Sequence, residues 1–205
     1  VNGGASTAGT SPVVLTGLPA GTYAIVVTDM TTNCTATAST TIASPSAALA
    51  VSVSVSPLTC SDDGKVEITA AGGWGGNRYT LTLPNGTILP EQGSNVFTNL
   101  SQIGTYKVIV RDSKGCEESV DFNLTAPTAP TATIAVSDYC YDSVNGTTIE
   151  VTAANGQAPY EYSMNGGPFS SNNAFTGLTP GSYTFKVRDA YGCEVTLPAE
   201  VINLG

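Results

Sequence analysis

Apolar and polar residues alternate along most of this chain, and nowhere do apolar positions recur at helical spacing. The run Ala48-Leu49-Ala50-Val51-Ser52-Val53-Ser54-Val55 steps with period two, as a strand with one buried face does. Lys65-Val66-Glu67-Ile68-Thr69 continues the pattern and Gly72-Gly73 interrupts it. A strand over 79–83 then runs into Pro84-Asn85-Gly86, where Asn-Gly signals a hairpin turn. Strands over 96–100, 106–111 and 116–124 follow. The next set is expected at 131–136, 147–153, 160–164, 174–178, 183–188 and 193–202, with Asn165-Gly166-Gly167 in the place of Asn85-Gly86. About seven short strands in roughly 80 residues predict an all-β chain of immunoglobulin-like antiparallel β-sandwiches, joined end to end.

The pattern also repeats on a longer scale. A leucine, a short turn, Gly-Thr/Ser-Tyr, an alternating strand, an aspartate and then a cysteine occur three times. The copies start at Gly21-Thr22-Tyr23, Gly104-Thr105-Tyr106 and Gly181-Ser182-Tyr183; they end at Asp29 and Cys34, Asp112 and Cys116, and Asp189 and Cys193. A period of roughly 80 residues is too long for a solenoid repeat and long enough for a small domain. Residues 45–127 and 128–205 are read as complete units, with proline-marked linkers at Pro45, Pro127 and Pro130. Residues 1–44 are read as the closing part of a third unit, whose opening strands are expected upstream or from a neighbouring chain. Tyr23, Tyr106 and Tyr183 each begin a strand after a leucine-anchored turn, the position of a tyrosine corner. The three aspartates are expected to bond the turn amides that follow them.

Composition narrows the function. Only 11% of residues are charged, histidine is absent and the net charge is −9. Nucleic acid is an unsuitable partner, because phosphate binding needs clustered Lys and Arg. No apolar run approaches the ~20 residues of a membrane span, so no membrane insertion is expected. Catalysis is not expected either. General acid–base chemistry most often uses histidine or a tuned carboxylate pair, and the adjacent pairs Asp62-Asp63 and Glu117-Glu118 read as solvated.

Five cysteines fit the repeat. Each complete unit has an early cysteine, Cys60 or Cys140, and a late one, Cys116 or Cys193. The expected disulfides are therefore Cys60–Cys116 and Cys140–Cys193. Cys34 is left unpaired, as a late cysteine without its early partner. Candidate calcium ligands are Asp62 and Asp63, and Asp138 and Asp142 around Cys140, because calcium takes carboxylate and carbonyl oxygens. No Asp-x-Asp-x-Asp-Gly loop accompanies them, and no other cofactor is expected. Trp74, set in Gly72-Gly73-Trp74-Gly75-Gly76, reads either as a binding tip or as a ring folded back over the sandwich end.

Leu178-Thr179-Pro180-Gly181-Ser182-Tyr183 through Asp189-Ala190-Tyr191-Gly192-Cys193, with Gly156-Gln157-Ala158-Pro159-Tyr160-Glu161-Tyr162-Ser163 upstream, resembles the SprB-type repeat. The unit at 45–127 departs from it at Gly76-Asn77-Arg78-Tyr79, and the first copy has Asn33 where glycine usually precedes the cysteine. The resemblance implies a repeat segment, a non-enzymatic spacer or stalk, of a very large bacterial cell-surface adhesin or filament. Such proteins are exported by type IX secretion and linked to gliding motility. It implies an extracellular location, neighbouring repeats of the same chain as partners, and contact with a surface polysaccharide or substratum. It also makes Asp142-Ser143-Val144 resemble an O-glycosylation signal of such bacteria, with Ser143 as acceptor. The alternatives are a carbohydrate-binding β-sandwich module and a generic stalk of a surface enzyme.

Overall fold

The computed structural model describes residue 9, residues 12–137, residue 139 and residues 146–203. Among the described residues every regular element is a strand, and every strand pairing is antiparallel. The chain begins with a two-stranded ribbon, β1 (Gly21–Thr28) against β2 (Thr35–Ile42). Tyr23 is buried there, while Val26 and Val27 on the same strand stay exposed.

The second unit has six strands: β3 (Ala50–Ser56), β4 (Gly64–Ala71), β5 (Arg78–Thr82), β6 (Val96–Leu100), β7 (Gly104–Arg111) and β8 (Glu117–Leu124). They form two sheets, ordered β3-β4-β6 and β5-β7-β8. That order corresponds to the A-B-E and C-F-G sheets of an immunoglobulin-type sandwich without a D strand. Period-two alternation makes this possible. Val66 and Ile68 of β4 face Leu81 of β5 and Tyr106, Val108 and Val110 of β7 across one core, and the intervening Lys65, Glu67 and Lys107 face water. Tyr106 stacks on Phe122 with ring centroids 5.0 Å apart.

About seven strands were expected in this unit and six form. Residues 83–95 contribute only the isolated bridges Thr82↔Ile88 and Tyr79↔Gln92. The Asn85-Gly86 turn closes, with Leu83 N–H donating to Thr87 O at 2.8 Å, but Pro90 follows Leu89 and cannot extend a ladder.

The third unit repeats the plan with β9 (Thr131–Val136), β10 (Thr147–Ala154), β11 (Glu161–Met164), β12 (Ala174–Leu178), β13 (Gly181–Tyr183), β14 (Phe185–Arg188), β15 (Glu194–Thr196) and β16 (Glu200–Ile202). One sheet runs β12-β10-β9 and the other β11-β14-β15, with β13-β16 as a short extension. Where β7 and β8 are continuous, their counterparts break at Thr184 and around Pro198. The pairing passes from Tyr183↔Glu200 to Lys186↔Thr196, which leaves one extra residue on the second strand, a bulge at the proline that lacks an N–H. The β11 turn is tighter than its counterpart. Asn165 and Gly166 have φ of 51° and 73°, and Gly167 N–H donates to Met164 O at 2.9 Å, the primed geometry that suits a hairpin.

The two cores are separate, one drawn from residues between 51 and 124 and the other from residues between 132 and 202. Leu81→Ala removes a fully buried side chain from the first, and Phe185→Ala does the same in the second. Each should cost about 2–5 kcal/mol in its own unit. Calorimetry should show one transition moving down while the other stays in place; concerted movement of both would contradict separate cores.

Candidate functional site at the joint between units

Each complete unit ends its β7- or β14-type strand on a carboxylate that ties the next turn together. Asp112 Oδ1 accepts the amides of Lys114 and Cys116 at 2.9 Å each, and its Oδ2 accepts the Trp74 amide at 3.0 Å. Asp189 repeats this with Tyr191 and Cys193 at 2.9 Å on Oδ1 and Gln157 at 3.0 Å on Oδ2. Both carboxylates are buried, and the three amides replace the water they lose. The turn closes on a glycine in the left-handed region, Gly115 at φ 86° and Gly192 at φ 73°, directly before the cysteine. In the first ribbon Asp29 accepts the Thr31 and Thr32 amides at 2.7 and 3.1 Å, and Asn33 takes the glycine's place at φ 56°.

At the opposite end of each strand a tyrosine hydroxyl donates to a carbonyl four residues back. Tyr23 bonds Pro19 O at 2.5 Å, Tyr106 bonds Gln102 O at 2.8 Å and Tyr183 bonds Thr179 O at 2.7 Å. These bonds fix the turn that leads into the strand. The strand between the tyrosine and the aspartate is thus pinned at both ends.

The disulfide is the main departure from the sequence-based expectation. Cys60 is bonded to Cys193, with Cα atoms 5.0 Å apart, and not to Cys116. Cys193 is therefore not bonded to Cys140, and Cys140 itself lies outside the described residues. Topology explains the correction. Cys60 precedes Gly64, which pairs with Leu100 and packs on Leu124, so it stands at the pole where β6 and β8 end. Cys116 lies between Arg111 and Glu117, at the pole where β7 ends and β8 begins. Eight-residue strands at ~3.3 Å per residue hold those poles roughly 25 Å apart, far beyond the ~7 Å a disulfide can span. Cys34 and Cys116 are both free and exposed.

The bond instead crosses between units. The chain leaves the second unit at Leu124, at the Cys60 pole. It enters the third at Thr131, which pairs with Ala154 beside Gly156, Asp189 and Cys193. Linker and disulfide therefore join the same two faces. Cys60 N–H donates to Tyr191 O at 3.0 Å, and Ser61 packs against Gly192 so closely that a Cβ there would stand 3.1 Å from the Ser61 Cβ. A single linker would leave a pivot; a second covalent tie and a backbone hydrogen bond restrict rotation. The clue in the sequence was that Cys60 sits in a polar loop and that Cys116 and Cys193 directly follow a turn glycine, not mid-strand where a core-spanning bridge would lie.

Of the remaining candidates, Asp62 and Asp63 fall at this joint, Trp74 at the opposite pole of the second unit, and the others outside the described residues. Asp62 and Asp63 are exposed on the Cys60 loop, where Asp62 Oδ2 accepts a 2.7 Å bond from Ser61. Among the described residues no three of His, Cys, Asp and Glu come together as a metal site would need. Asp138, Asp142 and Ser143 lie outside the described residues. Trp74 is half-buried, its amide committed to Asp112. Beside the joint, within the third unit, Arg188 bonds Glu161 at 2.6 Å and lies over the Phe169 ring at 4.2 Å.

Two measurements follow from this site. Asp112 is held below its ordinary pKa: desolvation pushes it up, but the Trp74, Lys114 and Cys116 amides outweigh that. A folded value below the unfolded one contributes stability that is complete above the unfolded pKa and is lost as pH falls through the folded one. The second unit's melting temperature should therefore fall below about pH 4, and Asp112→Asn should lower it at neutral pH while flattening the acid dependence. An unchanged acid slope in that variant would count against the turn as its source. Separately, reducing Cys60–Cys193 should leave the far-UV spectrum of both sandwiches intact and broaden the range of inter-unit angles in small-angle scattering. A loss of strand signal would show that the bond supports the cores.

No curated protein matches this chain. A family model does match, over residues 132–169, and it describes the SprB repeat. The matched stretch runs from β9 through β11 and includes Gly156-Gln157-Ala158-Pro159-Tyr160-Glu161-Tyr162-Ser163, one of the two segments that carry the resemblance. That repeat is found in cell-surface adhesins and is a structural repeat, not an enzyme family. Within the third unit, residues 132–169 are similar to the SprB repeat.

Proposed function

We propose that this chain is a spacer segment of a large bacterial cell-surface adhesin, extracellular, non-enzymatic and linked to gliding motility or surface adhesion. The observation that carries this reading is the joint. Two sandwiches are joined pole to pole by a short linker and by Cys60–Cys193, which suits a segment that must hold length and direction. The disulfide also fits a chain that works in an oxidising compartment outside the cytosol. The exposed faces of the strands carry Ser, Thr, Lys and Glu, as at Ser52, Ser54, Lys65 and Glu67, which keep a long stalk solvated. Its partners in this reading are neighbouring repeats, with the grip on polysaccharide or substratum supplied elsewhere in the parent protein.

The test separates spacing from binding. Coated on beads, the oxidised 205-residue chain should bind neither a glycan array nor glass above background. Removing one complete unit from the parent protein should shorten its reach from the cell while leaving the strength of each attachment unchanged. Saturable binding of the isolated chain to one glycan class would overturn the spacer reading in favour of a carbohydrate-binding module.

A further inference from the structure

The Cys60–Cys193 joint has a donor face and a receiving face, and the second unit carries both. Its donor face, the Cys60 loop, is occupied. Its receiving face, the Asp112–Cys116 turn, is built like the occupied Asp189–Cys193 turn, bond for bond. In both, the aspartate amide donates to the cysteine carbonyl (2.9 and 3.0 Å) and the glycine amide returns to the aspartate carbonyl at 3.0 Å. The carboxylate takes the same three amides in each.

What differs is what lies against them. Gly192 has Ser61 of the donor loop at 3.1 Å from its Cβ position, whereas Gly115 has nothing within 4 Å. Cys193 is 1% exposed, whereas Cys116 is exposed with a free thiol. Tyr191 O accepts the Cys60 amide, and the corresponding carbonyl in the second unit belongs to Lys114. The chain also enters the second unit at this pole. Gly73 N–H bonds Ala47 O at 3.0 Å beside the Asp112 carboxylate, so whatever precedes the unit is tied next to Cys116.

We propose that the Asp112–Cys116 turn is the receiving face of a second inter-unit disulfide, and that Cys116 bonds the cysteine of a Cys60-type loop in the repeat preceding it in the same chain. The occupant is a loop with the chemistry of Thr59-Cys60-Ser61-Asp62-Asp63-Gly64: a cysteine, a small hydroxyl residue to rest on Gly115, and no bulk that would strike the turn. No cysteine precedes Cys34 in this sequence, so the partner is not among these 205 residues. The bond forms by oxidation. One S–S bond replaces two S–H bonds, and the two protons and two electrons pass to a small-molecule disulfide, which leaves as two thiols. The rule is directional: an early cysteine reaches forward to the late cysteine of the next unit.

The experiment uses the full chain with residues 45–126 duplicated in tandem, which keeps the Ala-Pro step of the natural linker. The first copy carries Cys116→Ser, so that one Cys116 remains. Refolded in a glutathione buffer and digested without reduction, this chain should yield two linked pairs: Cys60 of the second copy with Cys193, and Cys60 of the first copy with the remaining Cys116. Maleimide labelling of Cys116 should drop to background, and Cys60→Ser in the first copy should restore it. A chain that forms the Cys193 bond but leaves Cys116 reactive would overturn the proposal, as would a Cys116 bond found only in covalent dimers. If the duplicated chain lacks the Cys193 bond, and so reports a misfolded joint, the unduplicated Cys193→Ser chain decides. Its released Cys60 should link head to tail with Cys116 of other copies, in oligomers that Cys116→Ser abolishes. Monomers, or oligomers indifferent to Cys116→Ser, would overturn it.

Discussion

A carboxylate among packed strands is stable only where N–H groups replace its water, and the poles of this molecule are organised around that requirement. Asp112 and Asp189 each draw two amides from the turn that follows and one from the glycine-containing loop before β5 or β11. Three chain segments are fixed by one side chain. The left-handed glycine, the position of the cysteine and the open face of the turn all follow from it. Without the carboxylate the cysteine would sit on a mobile hairpin tip, and the joint could not be specific.

The tyrosine hydroxyls do the corresponding work at the far end of the same strands. Tyr106 spans from the core to the Gln102 carbonyl, so the strand is anchored apolar side and polar side by one residue. Between these two anchors on β7, Val108 and Val110 fill the core while Lys107 and Arg111 face water. The division of labour is clear: the interior supplies stability, and a few polar bonds at the ends decide where the loops point.

Much of the fold was legible because a single periodicity carries it. Val66 and Ile68 alternate with charged or hydroxyl residues and land in the core, as do Ile149, Val151, Phe185 and Val187, and Val108 and Val110 do so on either side of a half-buried Ile109. The Asp–Gly–Cys turn was also readable, since its residues act on one another locally. What the sequence hid was long-range. Pairing the cysteines within each unit satisfied the count but ignored which pole each loop occupies, and that depends on strand order across two sheets. The break at Thr184 and Pro198 was missed for a different reason, because a continuous apolar pattern conceals a one-residue shift in pairing.

The bond between Cys60 and Cys193 also alters how the molecule would carry tension. The two residues are 133 apart in the chain, which corresponds to on the order of 450 Å when fully extended. Force entering from one terminus reaches Cys60 and crosses through sulfur to Cys193, bypassing the strands between them. Most of both cores is therefore shielded from load while the bond is intact. Reduction would restore that hidden length, so the extensibility of such a stalk is governed by the thiol chemistry of its surroundings and not by the strength of its β-sheets alone.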